Sequence, residues 1–157
     1  MPITAQNMLR LSLLLIIDGM MCACQEKFES YYPSAAAAAK AGAFDRGWLP
    51  DVLKPDVKDI REWHDIASNE FRGKFVLNER VVNRVQSSCR PGFDVPRKTR
   101  SMPEWFPLTI SQGEATTHGM RVFRCDDFFV AVDTTTADGY FWTKYPLREY
   151  DHTCCGS

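Results

Sequence analysis

Three apolar and aromatic segments stand close together near the C-terminus: Met120 to Cys125, Phe128 to Asp133 and Tyr140 to Tyr145. Each has the length and side-chain types of a strand. Asp126-Asp127 reads as a tight turn between the first two. Thr134 to Gly139, ending in Asp138-Gly139, reads as the turn between the second and third. Consecutive strands with short turns predict an antiparallel meander. Upstream, Glu70 to Leu77 sets Phe71, Gly73, Phe75 and Leu77 against Arg72, Lys74 and Val76, the period of a half-buried strand. Val81, Val82 and Val85 then take helical spacing, which predicts a short helix over residues 79–88.

The N-terminal half is less regular. Ser34 is suited to cap a helix, Ala35 to Ala39 is a strong helix-forming run, and Gly42 stands where a terminating glycine belongs. That helix has little apolar area of its own, so Phe44, Trp48 and Leu49 are expected to supply its packing. Pro50 and Pro55 make residues 45–59 an irregular loop, and Asp59 to Ile66 is expected to form one or two helical turns. Residues 90–107 interleave Pro91, Pro96, Pro103 and Pro107 with Arg90, Arg97, Lys98 and Arg100. The pattern predicts a loop with Trp105 and Phe106 at its apolar end. The expected fold class is α+β: the alanine-rich N-terminal helix packed on an antiparallel sheet of about four strands that ends in the meander.

The first residues carry a different signal. Arg10 precedes the apolar run Leu11 to Ile17, and Met21-Cys22-Ala23-Cys24 follows. A charged start, a short apolar stretch and a small residue before a cysteine make a bacterial lipoprotein export signal. The run is too short to span a bilayer, which takes about 20 residues. The expected layout is a signal peptide over 1–23, lipidation at Cys24, a polar tether over 24–33 and one domain over 34–157. Met1 and Met8 are both workable starts. Gln25 after the cysteine points to the outer membrane, facing the periplasm.

Composition narrows the function classes. A net charge of −1 argues against nonspecific nucleic-acid binding. With Cys24 acylated, Cys89, Cys125, Cys154 and Cys155 remain, which suits disulfides in an oxidising compartment. Four cysteines allow three pairings; a bridge that includes Cys89 and Cys125 is favoured, because both lie near element ends. His64, His118 and His152 are far apart, so neither a metal site nor a cofactor is expected.

The densest group of unusual residues lies between Phe44 and Glu70. It contains Arg46-Gly47-Trp48-Leu49-Pro50, then Asp59-Ile60-Arg61-Glu62-Trp63-His64-Asp65, then Ser68-Asn69. Together with the alanine-rich helix before them, these residues resemble the YbbD head domain family of small bacterial lipoproteins. The resemblance covers Ala35 to Phe75, and it implies an envelope location and a small α+β domain but no established chemistry.

Two readings of this group compete. His64 with Asp65 or Glu62 could serve as an acid/base group, Arg46 could hold an anionic substrate, and Trp48 and Asn69 would complete a site. The alternative is structural: Gly47 permits a turn, Trp48 and Leu49 fill the core, and His64, Asp65 and Asn69 tie loop to strand by hydrogen bonds. No nucleophile motif, metalloprotease motif or phosphate loop accompanies them. The sequence therefore favours a non-enzymatic, lipid-anchored envelope protein that contacts another envelope component. The alternatives are a periplasmic inhibitor or immunity-type protein, and a small hydrolase using His64 and Asp65.

Overall fold

The computed structural model describes residues 27–66, 68–92, 94–96 and 102–143. Within them one antiparallel sheet of seven strands runs in the order β1-β2-β3-β7-β6-β5-β4. Its strands are β1 (Lys27–Ser34), β2 (Lys58–Asp65), β3 (Glu70–Val76), β4 (Arg90–Pro91), β5 (Arg121–Cys125), β6 (Phe128–Asp133) and β7 (Asp138–Thr143). Three short α-helices accompany the sheet, α1 (Ala35–Lys40), α2 (Glu79–Ser88) and α3 (Leu108–Ser111), with a 3-10 turn at Asp51–Leu53.

This corrects the expected α+β class, because the domain is mainly β. The helix α1 forms as the alanine run predicts, and Ser34 caps it by accepting the Ala37 N–H at 3.2 Å. It buries only Ala35 and Ala38, and a methyl group removes little apolar area from water. It therefore cannot act as a packing layer. Most of the burial comes from the sheet and from Phe44, Leu49, Leu53 and Val57 in the loop after α1.

The meander, β3 and α2 form where the periodicities place them. One boundary moves. Asp138 and Gly139 belong to β7, and the turn before them ends at Ala137, whose φ is +59°. Two other expectations fail. The segment from Asp59 to Asp65 belongs to strand β2 rather than to helical turns, and Ile66 begins the turn that follows. From Lys27 onward, the segment read as a tether is the edge strand β1. Cys24 and the signal segment 1–23 lie outside the described residues, as do Arg97, Lys98, Arg100, Cys154 and Cys155.

Strand alternation gives the sheet two separate cores. One face carries Ile60, Phe71, Phe75, Phe128, Val130 and Phe141 under α1, the 41–57 loop and α2. The other carries Val122, Phe129, Ala131, Tyr140 and Trp142 under the 102–120 segment, with Phe106 and Ile110 inserted. At the β3–β7 seam, Gly73 lies opposite Phe141 and Gly139 opposite Phe75. The Cys89 and Cys125 sulfurs are bonded, which joins the end of α2 to the end of β5.

Candidate functional site

The sequence around Arg46 folds as two glycine-terminated turns in succession. Gly42, at φ +73°, ends α1: its N–H reaches the Ala39 carbonyl at 2.9 Å, and the Ala43 N–H reaches Ala38 at 3.0 Å. Five residues on, the pattern repeats. Gly47 takes φ +70° and donates to Phe44 at 2.9 Å, while the Trp48 N–H reaches Ala43 at 3.0 Å. A side chain at either glycine would be strained in that left-handed conformation. The two turns fold Trp48 back against the sheet.

There Trp48 meets His64 of β2, with ring centroids 4.6 Å apart. Phe28 of β1 stacks on His64 at 5.2 Å, and Phe71 of β3 lies at 5.6 Å. The Arg46 guanidinium sits 3.9 Å from the Trp48 ring and donates to the Ala41 carbonyl at 2.5 Å. His64 is thus enclosed by aromatic rings and keeps only 5% of its surface.

Its polar partner is Glu62. His64 Nδ1 is 2.6 Å from Glu62 Oε1, and Glu62 is fully buried. The pair sits two residues apart on one strand, so both side chains leave the same face. Glu62 Oε2 has no hydrogen-bond partner among the described residues.

Asp65 is one residue on from His64 and leaves the opposite face of β2. On that face Arg72 lies 3.1 Å from Glu70, with its guanidinium over the Trp63 ring at 5.3 Å and the Phe106 ring at 5.7 Å. Burial lowers the Arg72 pKa from its usual value, and the Glu70 and Asp65 carboxylates oppose that shift. Asp65 also closes the β2–β3 turn, accepting from the Ser68 N–H at 3.4 Å. Asn69 completes that turn at φ +53°, a conformation that asparagine tolerates better than most residues.

The structure therefore brings Arg46, Trp48, Glu62 and His64 into one column and sends Asp65 to the other side of the sheet. His64 and Asp65 do not form an acid/base pair. Sequence reasoning missed two parts of this arrangement. One is Phe28, the outer ring over His64. The other is the buried Arg72–Glu70 ion pair, which was read as the solvent side of a strand. The alternation of Glu70, Arg72 and Lys74 was visible, but nothing in it showed that a second apolar layer covers that side. Among the described residues no group of His, Cys, Asp and Glu is placed to hold a metal ion. No helix among them is long and apolar enough to cross a membrane.

A charged surface cleft lies on the other flank of the 44–52 loop. Phe44, Leu49 and Phe128 form its floor, and Asp51, Asp126 and Asp127 stand around it. Asp51 is already paired with Lys54 at 2.8 Å.

The class to which this architecture relates is set by its first three strands. The family model of the YbbD head domain matches residues 26–76, the segment that holds β1 to β3 and the whole Arg46–Trp48–His64–Glu62 column. The resemblance to that family thus covers one side of the sheet, up to the β3–β7 seam. No curated protein and no solved structure matches this chain.

Proposed function

We propose that this chain is a lipid-anchored cell-envelope protein whose folded domain is a non-enzymatic binding or structural module. The observation that carries the second half is the position of His64. It is enclosed by Phe28, Trp48 and Phe71, and it is bonded to a carboxylate that is itself fully buried. A general acid or base must reach a proton on its substrate within hydrogen-bond distance. A ring covered in this way, with Asp65 behind the sheet, serves cohesion instead. The anchoring half rests on Met21-Cys22-Ala23-Cys24 after the apolar run, with Cys24 as the acylated residue. The match to the YbbD head domain supports an envelope location. The partners are then the membrane, through the lipid, and a second envelope component.

Two measurements test this. Labelling with a palmitate analogue should mark the parent protein and not the Cys24→Ser variant, and the variant should leave the membrane fraction. Co-purification from solubilised envelopes should return a stoichiometric partner. Turnover of a cell-wall substrate that is lost in His64→Ala while the fold is kept would overturn the non-enzymatic reading.

A further inference from the structure

The two edges of the sheet are built differently. One edge ends in β4, two residues long and containing Pro91. Such an edge offers almost nothing to pair with. The other edge is β1, eight residues long, and its pairing with β2 runs from Lys27 to Ser34.

The backbone polarity of β1 follows from the neighbouring strands. The Leu77 N–H donates to Ala137, and the Phe71 N–H donates to the Thr143 hydroxyl, so odd residues of β3 bond towards β7. Antiparallel ladders alternate sides residue by residue. Even residues of β3 then bond to Arg61, Trp63 and Asp65, and Glu62 and His64 bond to Ser30 and Phe28. The outward groups of β1 are those of Lys27, Glu29, Tyr31 and Pro33. Proline, which lacks an N–H, falls on the solvent side at the end of the strand, where an edge accommodates it. Among the described residues, no strand pairs with the outward donors and acceptors of Glu29 and Tyr31.

We propose that β1 is a self-pairing edge, to which the β1 strand of a second copy of this chain adds antiparallel about Ser30. The register is self-complementary. Glu29 pairs with the partner's Tyr31, and Tyr31 pairs with the partner's Glu29, each through two backbone hydrogen bonds. Ser30 meets the partner's Ser30 in a close, non-hydrogen-bonded pair. Phe28 faces the partner's Tyr32, an aromatic cross-strand pair. Sliding the partner two residues one way puts Glu29 against Glu29. Sliding it two residues the other way sets Lys27 and Phe28 against the start of α1. The centred register covers two exposed aromatics, Phe28 at 37% and Tyr31 at 56% exposure. The contact is isologous, so it closes at two copies. It rests on the strand alone and not on acylation.

The test uses the full chain in detergent. Ser30→Cys should form a disulfide-linked dimer under mild oxidation, with the link placed at position 30 by peptide mass mapping. Close antiparallel pairs have Cα atoms about 4.5 Å apart, within disulfide reach. Ser87→Cys, exposed on α2, should not link. In sedimentation, Tyr31→Pro should weaken self-association by roughly tenfold or more, since symmetry removes two backbone hydrogen bonds per dimer. Tyr31→Phe should leave it unchanged. A parent that stays monomeric across a concentration series, or a Ser30→Cys variant that links no better than Ser87→Cys, overturns the proposal. Equal linking by Glu29→Cys overturns the register and the proposal with it.

Discussion

Phe141 lies across the β3–β7 seam on Gly73, so closely that a Cβ at position 73 would fall 2.0 Å from the ring. The relationship is reciprocal, because Phe75 covers Gly139 on the neighbouring pair at 2.2 Å by the same measure. The two phenylalanine rings stack at 6.4 Å. Each glycine provides the space its partner's ring fills, and both rings are fully buried. Gly73→Ala should therefore destabilise the protein by about 1–3 kcal/mol through overpacking. Chemical denaturation checks this; an unchanged midpoint would mean that the seam can give way.

Removing His64 leaves Glu62 buried with neither oxygen partnered. His64→Ala should cost about 1–3 kcal/mol, the penalty for leaving a buried polar group without its hydrogen-bond partner. Replacing both, as Glu62→Leu with His64→Phe, should cost much less than the single change. Thermal unfolding of the two variants decides the matter, and a double variant that is worse than the single would contradict it.

Trp48 is half-buried, not part of the deep core, and is held between Arg46 and His64. Trp48→Ala should cost about 1–3 kcal/mol, less than the loss of a fully buried aromatic. Trp48→Phe should recover part of it. A loss as large as that for Phe141→Ala, measured by urea unfolding, would place Trp48 among the core residues.

The Cys89–Cys125 bond closes a segment with a sequence separation of 36. On chain entropy such a loop contributes about 4 kcal/mol. Cys125→Ser should lower the melting temperature, and adding a reductant to the parent should lower it by a similar amount. A parent indifferent to reductant would show that the bond contributes little.

The pH dependence at the acid end should centre on Asp133. Burial pushes its carboxyl up, but hydrogen bonds from Thr136 and Thr135 outweigh burial and hold it below the usual range. The Thr135 N–H lies 2.9 Å from its Oδ1. A folded-state pKa below the unfolded value, about 3.9, gives stability that is fully present above that value. That stability is lost as pH falls through the folded value. Asp133→Asn should be less stable at neutral pH and should show a flatter decline below about pH 4. A decline as steep as the parent's would assign the acid sensitivity to other carboxylates.

Much of the sheet was legible in the sequence, and its failures have physical causes. The meander and β3 alternate or are wholly apolar, so the strand period shows. In β2 and the residue after it, Ile60, Trp63 and Ile66 stand three apart and imitate a helix. Glu62 and His64 are buried polar residues, which conceals the true alternation. β1 is an edge strand with only Tyr32 buried, so Lys27 to Pro33 carries almost no periodic signal and reads as tether. The Arg46–Trp48 element was recognisable by its two glycines. The direction in which Trp48 points was not, because the second turn sets it. Asp65 was grouped with His64 by adjacency, although neighbours on a strand face apart.

The seam between β3 and β7 also orders the life of the nascent chain. Synthesis delivers β1, β2 and β3 first, and β3 waits about 60 residues for the strand that covers it. Throughout that interval Phe71 and Phe75 border an unpaired edge, which makes the half-made sheet sticky to any extended segment nearby. Completion depends on the last strand of the described chain, so a truncation before Asp138 removes the strand that joins the two halves and should yield a chain that aggregates instead of a smaller folded domain.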